Sequence, residues 1–168
     1  MNNIPLCIKW MLCFEEPETR TLWLGKAVPR DWLASGEAPL VASNLTTRYG
    51  RISYGIAVSA ATAGGGSDAA GYAVTASVTL PASFADAATA PAGGLRLRIR
   101  APAAHAGRLS GVTIGGKAWA GFSAAEETID IAAGELTPEL IHDGLPRIVA
   151  TFAGPQVLLR PALIGSRR

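Results

Sequence analysis

Histidine and cysteine are scarce in this 168-residue chain, two of each, and the scarcity removes most metal chemistry at the outset. Neither His105 nor His142 has a second ligand at the spacing zinc sites use, and the cysteines stand far from both. No metal site is expected, and both imidazoles read as surface or turn residues. Cys7 and Cys13 lie in one N-terminal stretch; if that stretch is extended they are roughly 20 Å apart, beyond disulfide reach. Both are expected to be free, buried thiols, which leaves the redox compartment and the localisation open.

Charge is also sparse. Asp, Glu, Lys and Arg make up 17% of the residues and the net charge is +2, too little to argue for nucleic acid or an anionic membrane as a partner. No apolar run has the length a membrane span requires. The N-terminus, MNNIPLCIKWMLCFEE, lacks a basic leader and a small-residue cleavage site and carries Lys9 in its middle, so it reads as a strand and not as a signal peptide. The run Gly64-Gly65-Gly66-Ser67 has no lysine after it, so it is a linker and not a phosphate loop. No cofactor is indicated.

What the chain does have is apolar mass and turns. Hydrophobic residues reach 49%, with 19 glycines and 11 prolines, enough for one domain with a packed core and many reversals. Tyr72, Val74, Ala76, Val78 and Leu80 alternate with Thr75, Ser77 and Thr79, and Leu95-Arg-Leu-Arg-Ile-Arg100 alternates as strictly. That is the period of a half-buried strand. Further strands are expected over 6–14, 21–26, 50–58, 110–114, 128–131 and 147–152, with Gly115-Gly116 as a two-residue hairpin turn. Short helical turns fit near Pro29–Ala34 and Thr137–Ile141. Residues 60–71 and 82–94 read as mobile loops. The expectation is an all-β fold, an antiparallel β-sandwich with short helical turns, in three parts: N-terminal strands over 1–26, the sandwich over 27–153 and a loose tail over 154–168.

The catalytic constellations are weak. Gly121-Phe-Ser-Ala-Ala125 falls one residue short of a nucleophile elbow, and Asp130 and His142 follow Ser123 in the α/β-hydrolase order. Nothing predicts the strand-to-helix turn such an elbow needs, so Ser123 reads as a loop serine and a serine hydrolase is a remote alternative. Glu15, Glu16 and Glu18 flank Pro17, and Glu126 adjoins Glu127. Neighbours in a turn do not straddle a sugar at the 5–9 Å or so that paired glycosidase carboxylates require, so these acids read as solvated turn residues. No catalytic residue is assigned, and the chain is expected not to be an enzyme by itself.

Two features could bind a ligand. Arg96, Arg98 and Arg100 share one face of a strand. The preferred reading is a wet face that blunts a sheet edge, and the alternative is docking on an acidic surface or an acidic polysaccharide. Among Trp10, Trp23, Trp32, Trp119, Tyr49, Tyr54 and Tyr72, most rings are expected in the core. Trp119, just past the predicted hairpin turn, is the best exposed sugar-stacking platform. The tentative ligand set is therefore Trp119, Arg96, Arg98 and Arg100.

Leu22-Trp-Leu-Gly-Lys-Ala-Val-Pro-Arg-Asp-Trp-Leu33, Thr47-Arg-Tyr-Gly-Arg-Ile-Ser-Tyr54, Val78-Thr-Leu-Pro81, Leu95–Arg100, Val112-Thr-Ile-Gly-Gly-Lys117 before Trp119, and Ile148-Val-Ala-Thr-Phe152 form a series. It resembles the C-terminal β-sandwich region of large bacterial glycoside hydrolases, in which a helical toroid-like catalytic region comes first. Gly115 stands where that pattern usually has Asn. The resemblance runs over roughly 12–152 and implies a non-catalytic accessory domain in carbohydrate processing. Its partner would be a catalytic region not contained in this sequence, and the alternative it leaves is a carbohydrate-binding module. No catalytic residue carries over, because the family's acids lie in that other region. The dense apolar stretch Leu6 to Lys26 would form the junction with the catalytic region or, failing that, a homo-oligomer contact.

The period-two pattern sets the first test. Far-UV circular dichroism should be dominated by β-structure, and a mainly helical spectrum would refute the sandwich.

Overall fold

The computed structural model describes residues 4–34, 36–60, 72–141 and 144–154. Two sheets face each other. The first has five strands: β1 (Cys13–Glu15), β2 (Leu22–Leu24), β6 (Leu95–Arg98), β10 (Thr128–Ile131) and β9 (Phe122–Ser123), in that spatial order. The second has six: β3 (Leu40–Thr47), β4 (Gly50–Ala60), β5 (Tyr72–Thr79), β11 (Leu145–Phe152), β7 (Leu109–Ile114) and β8 (Lys117–Ala118). The fold is an all-β sandwich. Every pairing is antiparallel except β2 with β6, which is parallel, with Leu22, Trp23 and Leu24 opposite Leu95, Arg96 and Leu97. A parallel pair needs a long crossover, and the whole of β3 to β5 lies between these two strands.

Alternation decides what enters the core. Leu22, Leu24, Leu95, Leu97, Ile129 and Ile131 are buried from the first sheet. They face Ile52, Tyr54, Ile56, Val74, Ala76, Val78, Val112, Ile114, Ile148 and Ala150 of the second. A residue slip in any strand would turn these side chains to water, which fixes the register. The Gly115-Gly116 turn closes β7 on β8, pairing Ile114 with Lys117. Both glycines have positive φ, 58° and 77°, the conformation that a tight hairpin of right-twisted strands demands. The expected helical turns occur as a 3-10 turn at Arg30–Leu33 and a short helix, α2, at Pro138–Ile141.

Several expectations need correcting. The stretch 6–14 is not one strand: Ile4–Leu12 forms a helix, α1, and only Cys13–Glu15 extends as β1. Leu6, Ile8, Trp10 and Leu12 do alternate, but Cys7 and Met11 on the other parity are apolar too, so the stretch has no polar face. Pro5 sits in the first turn, where a missing N–H costs nothing. Cys7 is exposed and Cys13 buried, against the expectation of two buried thiols. Thr47 and Gly50 are joined by a turn at Arg48 and Tyr49, with β3 before it and β4 after it. The interval 82–94 is not a loose tip, because Phe84 is 1% exposed and meets Tyr49 edge-on, ring centroids 5.9 Å apart. Two of the four tryptophans, Trp10 and Trp32, are exposed. His142, residues 61–71 and the tail from 155 lie outside the described residues.

One buried ion pair clasps the loops at the end of the sandwich. Glu127 is 1% exposed, against the expectation of a solvated turn acid. It accepts hydrogen bonds from Arg30 Nη1, which lies 2.7 Å from Oε2, and from the Gly107 backbone N–H at 2.9 Å. The same Nη1 donates to the Ala101 carbonyl, and the Glu127 carbonyl accepts from Ile99 N–H at 2.9 Å. Glu127 itself sits at φ 56°, a left-handed conformation that costs an ordinary residue roughly 1–2 kcal/mol.

Removing the carboxylate leaves Arg30 half-buried without its counter-charge, so Glu127→Ala should cost about 3 kcal/mol. Glu127→Gly separates the two effects, since glycine accepts this φ without strain. It should still melt several degrees below the parent in calorimetry, and a parental melting temperature would show that the pair contributes nothing.

Candidate functional site

Phe14, Trp23, Arg96 and Asp130 lie opposite one another on four successive strands, β1, β2, β6 and β10. They make one row across the outer face of the five-stranded sheet. The row is an alternation of rings and charges. The Arg96 guanidinium lies 4.8 Å from the Trp23 ring centroid and pairs with Asp130 through Nε. On the other flank Lys26 Nζ stands 3.8 Å from the Phe14 centroid, 5.0 Å from that of Trp23 and 3.0 Å from Glu16 Oε2. Arg98 donates to the carbonyls of Lys26 and Glu126, both at 3.2 Å.

The arginines of the sequence pattern are thus brought together, but not on an edge. β6 has β2 on one side and β10 on the other, so they cannot serve to blunt an edge strand. Arg96 and Arg98 are held by neighbours within the face. Arg100 lies past the end of β6, and its Nε is buried without a hydrogen-bond partner among the described residues. The Nε groups of Arg96 and Arg98 are thus engaged within the face, while the terminal nitrogens of Arg96 make no hydrogen bond among the described residues.

Trp119 is half-buried. It packs against the core, and its Nε1–H donates to the Asp130 carbonyl at 3.0 Å. This accounts for Gly121, the glycine that suggested a nucleophile elbow: a Cβ there would stand 2.8 Å from Trp119 Nε1 and 2.6 Å from the Asp130 carbonyl oxygen. The motif is a packing device for the indole. Ser123 Oγ accepts the Glu126 backbone N–H at 3.3 Å, closing the turn between β9 and β10.

A different place collects chemistry from separate parts of the chain. A hollow of about 340 Å³ opens between α1, the β1–β2 hairpin and the β3–β4 turn, lined by Lys9, Trp10, Cys13, Phe14, Glu15, Pro17 and Arg48. Arg48 Nε donates to Glu15 Oε2 at 2.6 Å and its backbone N–H to Oε1 at 3.3 Å. Glu15 and Glu16 mark the turn between β1 and β2, as expected, but both are engaged in ion pairs and are not simply solvated. Burial pushes the Cys13 thiol up to about 11, with the nearby Glu15 carboxylate adding to the rise and Lys9 opposing it. Cys13 is therefore a neutral, inert wall of the hollow at ordinary pH. Burial likewise raises Tyr54, whose hydroxyl donates to the Leu12 carbonyl at 3.0 Å and anchors the end of α1. No sequence signal pointed here, because the lining residues meet only when α1 folds back beside β1.

A groove of about 450 Å³ also runs over the outer face of the six-stranded sheet, along Gly55, Ala57, Thr75 and Ser77. A hollow of about 400 Å³ adjoins Trp32, Asp31 and Glu37. Among the described residues no group of three or more His, Cys, Asp or Glu is placed to hold a metal, and no helix is long and apolar enough to cross a membrane. No family model, curated protein or solved structure matches the chain.

Two substitutions check the assignment of these residues to structure. Arg96→Ala should lower stability by no more than about 1 kcal/mol, the usual range for a part-exposed pair. Trp119→Ala should cost about 3 kcal/mol, as loss of a packed aromatic ring does. Denaturant titration reads both, and a Trp119→Ala variant as stable as the parent would return that ring to the list of ligand platforms.

Proposed function

We propose that this chain is a non-catalytic accessory β-sandwich domain of a carbohydrate-processing, glycoside hydrolase-like protein, and that α1 is the surface through which it packs on a catalytic region. One observation carries the reading. α1 has no buried residue, yet Ile4, Leu6, Ile8 and Trp10 are between 44% and 58% exposed. A helix apolar on all sides is stable in water only when something covers it. The strands that follow are a different matter, because Cys13, Leu22 and Leu24 belong to the sandwich's own core. The contact surface is accordingly α1 and not the whole of 6–26.

The non-catalytic part of the proposal is supported by where the acids lie. Glu127 is committed to Arg30 and Gly107, Glu15 to Arg48, Glu16 to Lys26, and Asp130 to Arg96. Each of these carboxylates is engaged by a cation. Carbohydrate binding is the second reading, and the observation favouring it is the exposed indole of Trp10 beside Lys9 and Arg48, with Trp119 withdrawn into packing.

The test is complex formation with a glycoside hydrolase catalytic region of the helical toroid type. A one-to-one complex is expected, with amides 4–12 gaining protection from hydrogen exchange and Ile8→Asp weakening it at least about tenfold, as loss of an interface anchor does. Unchanged exchange over α1, or turnover of chromogenic glycosides by the chain alone, would overturn the proposal.

A further inference from the structure

We propose that the hollow between α1, the β1–β2 hairpin and the β3–β4 turn binds a carboxylate-bearing sugar, a uronate residue of an acidic glycan. The inference rests on the carbohydrate reading for the identity of the ring, while the site itself follows from the geometry. The hollow, about 340 Å³, falls within the size range of small-molecule sites. Its wall is convergent: Lys9 and Trp10 come from α1, Phe14 and Glu15 from β1, and Arg48 from the turn between β3 and β4.

Each residue has a distinct part. Glu15 engages Arg48 through Nε and through the backbone N–H, which fixes the guanidinium and leaves its two terminal nitrogens for a second partner. That is the geometry for two-point recognition of a carboxylate. Lys9 belongs to none of the ion pairs among the described residues, so a second positive charge faces the same space. Trp10 is 50% exposed and offers a flat apolar surface to the C–H face of a pyranose. The Phe14 ring is unsuited to that task, because Lys26 stands 3.8 Å from its centroid.

The combination excludes simpler ligands. A neutral sugar would leave Lys9 without counter-charge and the terminal nitrogens of Arg48 without an anionic acceptor, and an inorganic anion would leave the indole unused. A ring bearing a carboxylate uses both. The site also coexists with packing on a catalytic region. At 3.6 residues per turn, Ile4 and Ile8 lie roughly 100–160° around α1 from Lys9 and Trp10. One side of the helix can be covered while the other lines the hollow, so the domain would lend a glycan subsite at the edge of its partner.

Native electrophoresis of the full chain through gels containing polygalacturonate, a neutral dextran or polyaspartate tests this directly. Polygalacturonate should retard the chain, free galacturonate should relieve the retardation, and dextran should have no effect. Lys9→Gln and Trp10→Ala should each weaken the apparent affinity about tenfold, the loss of one charge-assisted contact or one stacked ring. Lys117→Gln, on the exposed tip of the β7–β8 hairpin, should bind like the parent. Because α1 buries no side chain, both site variants should keep the parental circular dichroism. No retardation, equal retardation by polyaspartate, equal retardation by dextran, or parental affinity in both site variants would each overturn the site. Those failures would leave the accessory-domain reading standing, since that depends on a complex formed through the other side of α1.

Discussion

Glu127 occupies a backbone conformation that disfavours it and a position that hides its charge, and both costs are offset at one point. The carboxylate accepts from Arg30 and from the Gly107 amide, and Arg30 in turn reaches the Ala101 carbonyl. Four segments distant in sequence meet there: the 3-10 turn after β2, the exit of β6, the approach to β7 and the turn before β10. The 3-10 turn buries Leu33 and the exit of β6 buries Ile99, but Ala101, Gly107 and Arg30 themselves offer little grip by packing. A directional contact supplies what small side chains cannot. The Tyr72 hydroxyl, donating to the Leu33 carbonyl, ties the same 3-10 turn to the centre of the second sheet.

A second consequence concerns the outer faces. On the five-stranded sheet Lys26 and Arg96 each stand against an aromatic ring and pair with a carboxylate. On the six-stranded sheet the outward residues Gly55, Ala57, Thr75 and Ser77 are small, and the cation lining their groove, Arg147, has no aromatic ring beside it in that lining. Neither face combines a free charge with an exposed ring. The N-terminal edge does, and it also carries the apolar helix. Recognition chemistry in this chain is concentrated along one border of the sandwich.

The strands were legible wherever polar and apolar residues alternate without ambiguity. Tyr72 to Thr79 and Leu95 to Arg98 follow the pattern, and the hairpin at Gly115-Gly116 follows from turn chemistry alone. α1 was not legible because IPLCIKWML has only one polar residue, and a pattern with no wet face has no period to read. The arginine stripe was read as a face correctly but given the wrong place in the sheet, since strand order depends on which distant partners pair and not on the strand's own residues. Glu127 was misjudged for a related reason. A glutamate after alanines and another glutamate resembles a solvated turn, and only the tertiary arrival of Arg30, 97 positions earlier, makes burial favourable.

The same logic explains why the hollow beside Trp10 could not be found by scanning for motifs. Its cations come from positions 9 and 48 and its orienting carboxylate from 15, a set with no fixed spacing. What brings them together is the Tyr54 hydroxyl holding the Leu12 carbonyl and the hydrogen bonds from Gly25 and Ala27 to Leu12 and Met11. These contacts stop α1 at Leu12 and turn the chain into β1. The helix is thus fastened at its C-terminal end alone, where the sandwich supplies partners, and left bare along its length. A free domain gains nothing from such an arrangement, because the apolar helix costs solvation without adding to the core. The side of α1 that carries Lys9 and Trp10 faces a hollow with two cations and an exposed ring.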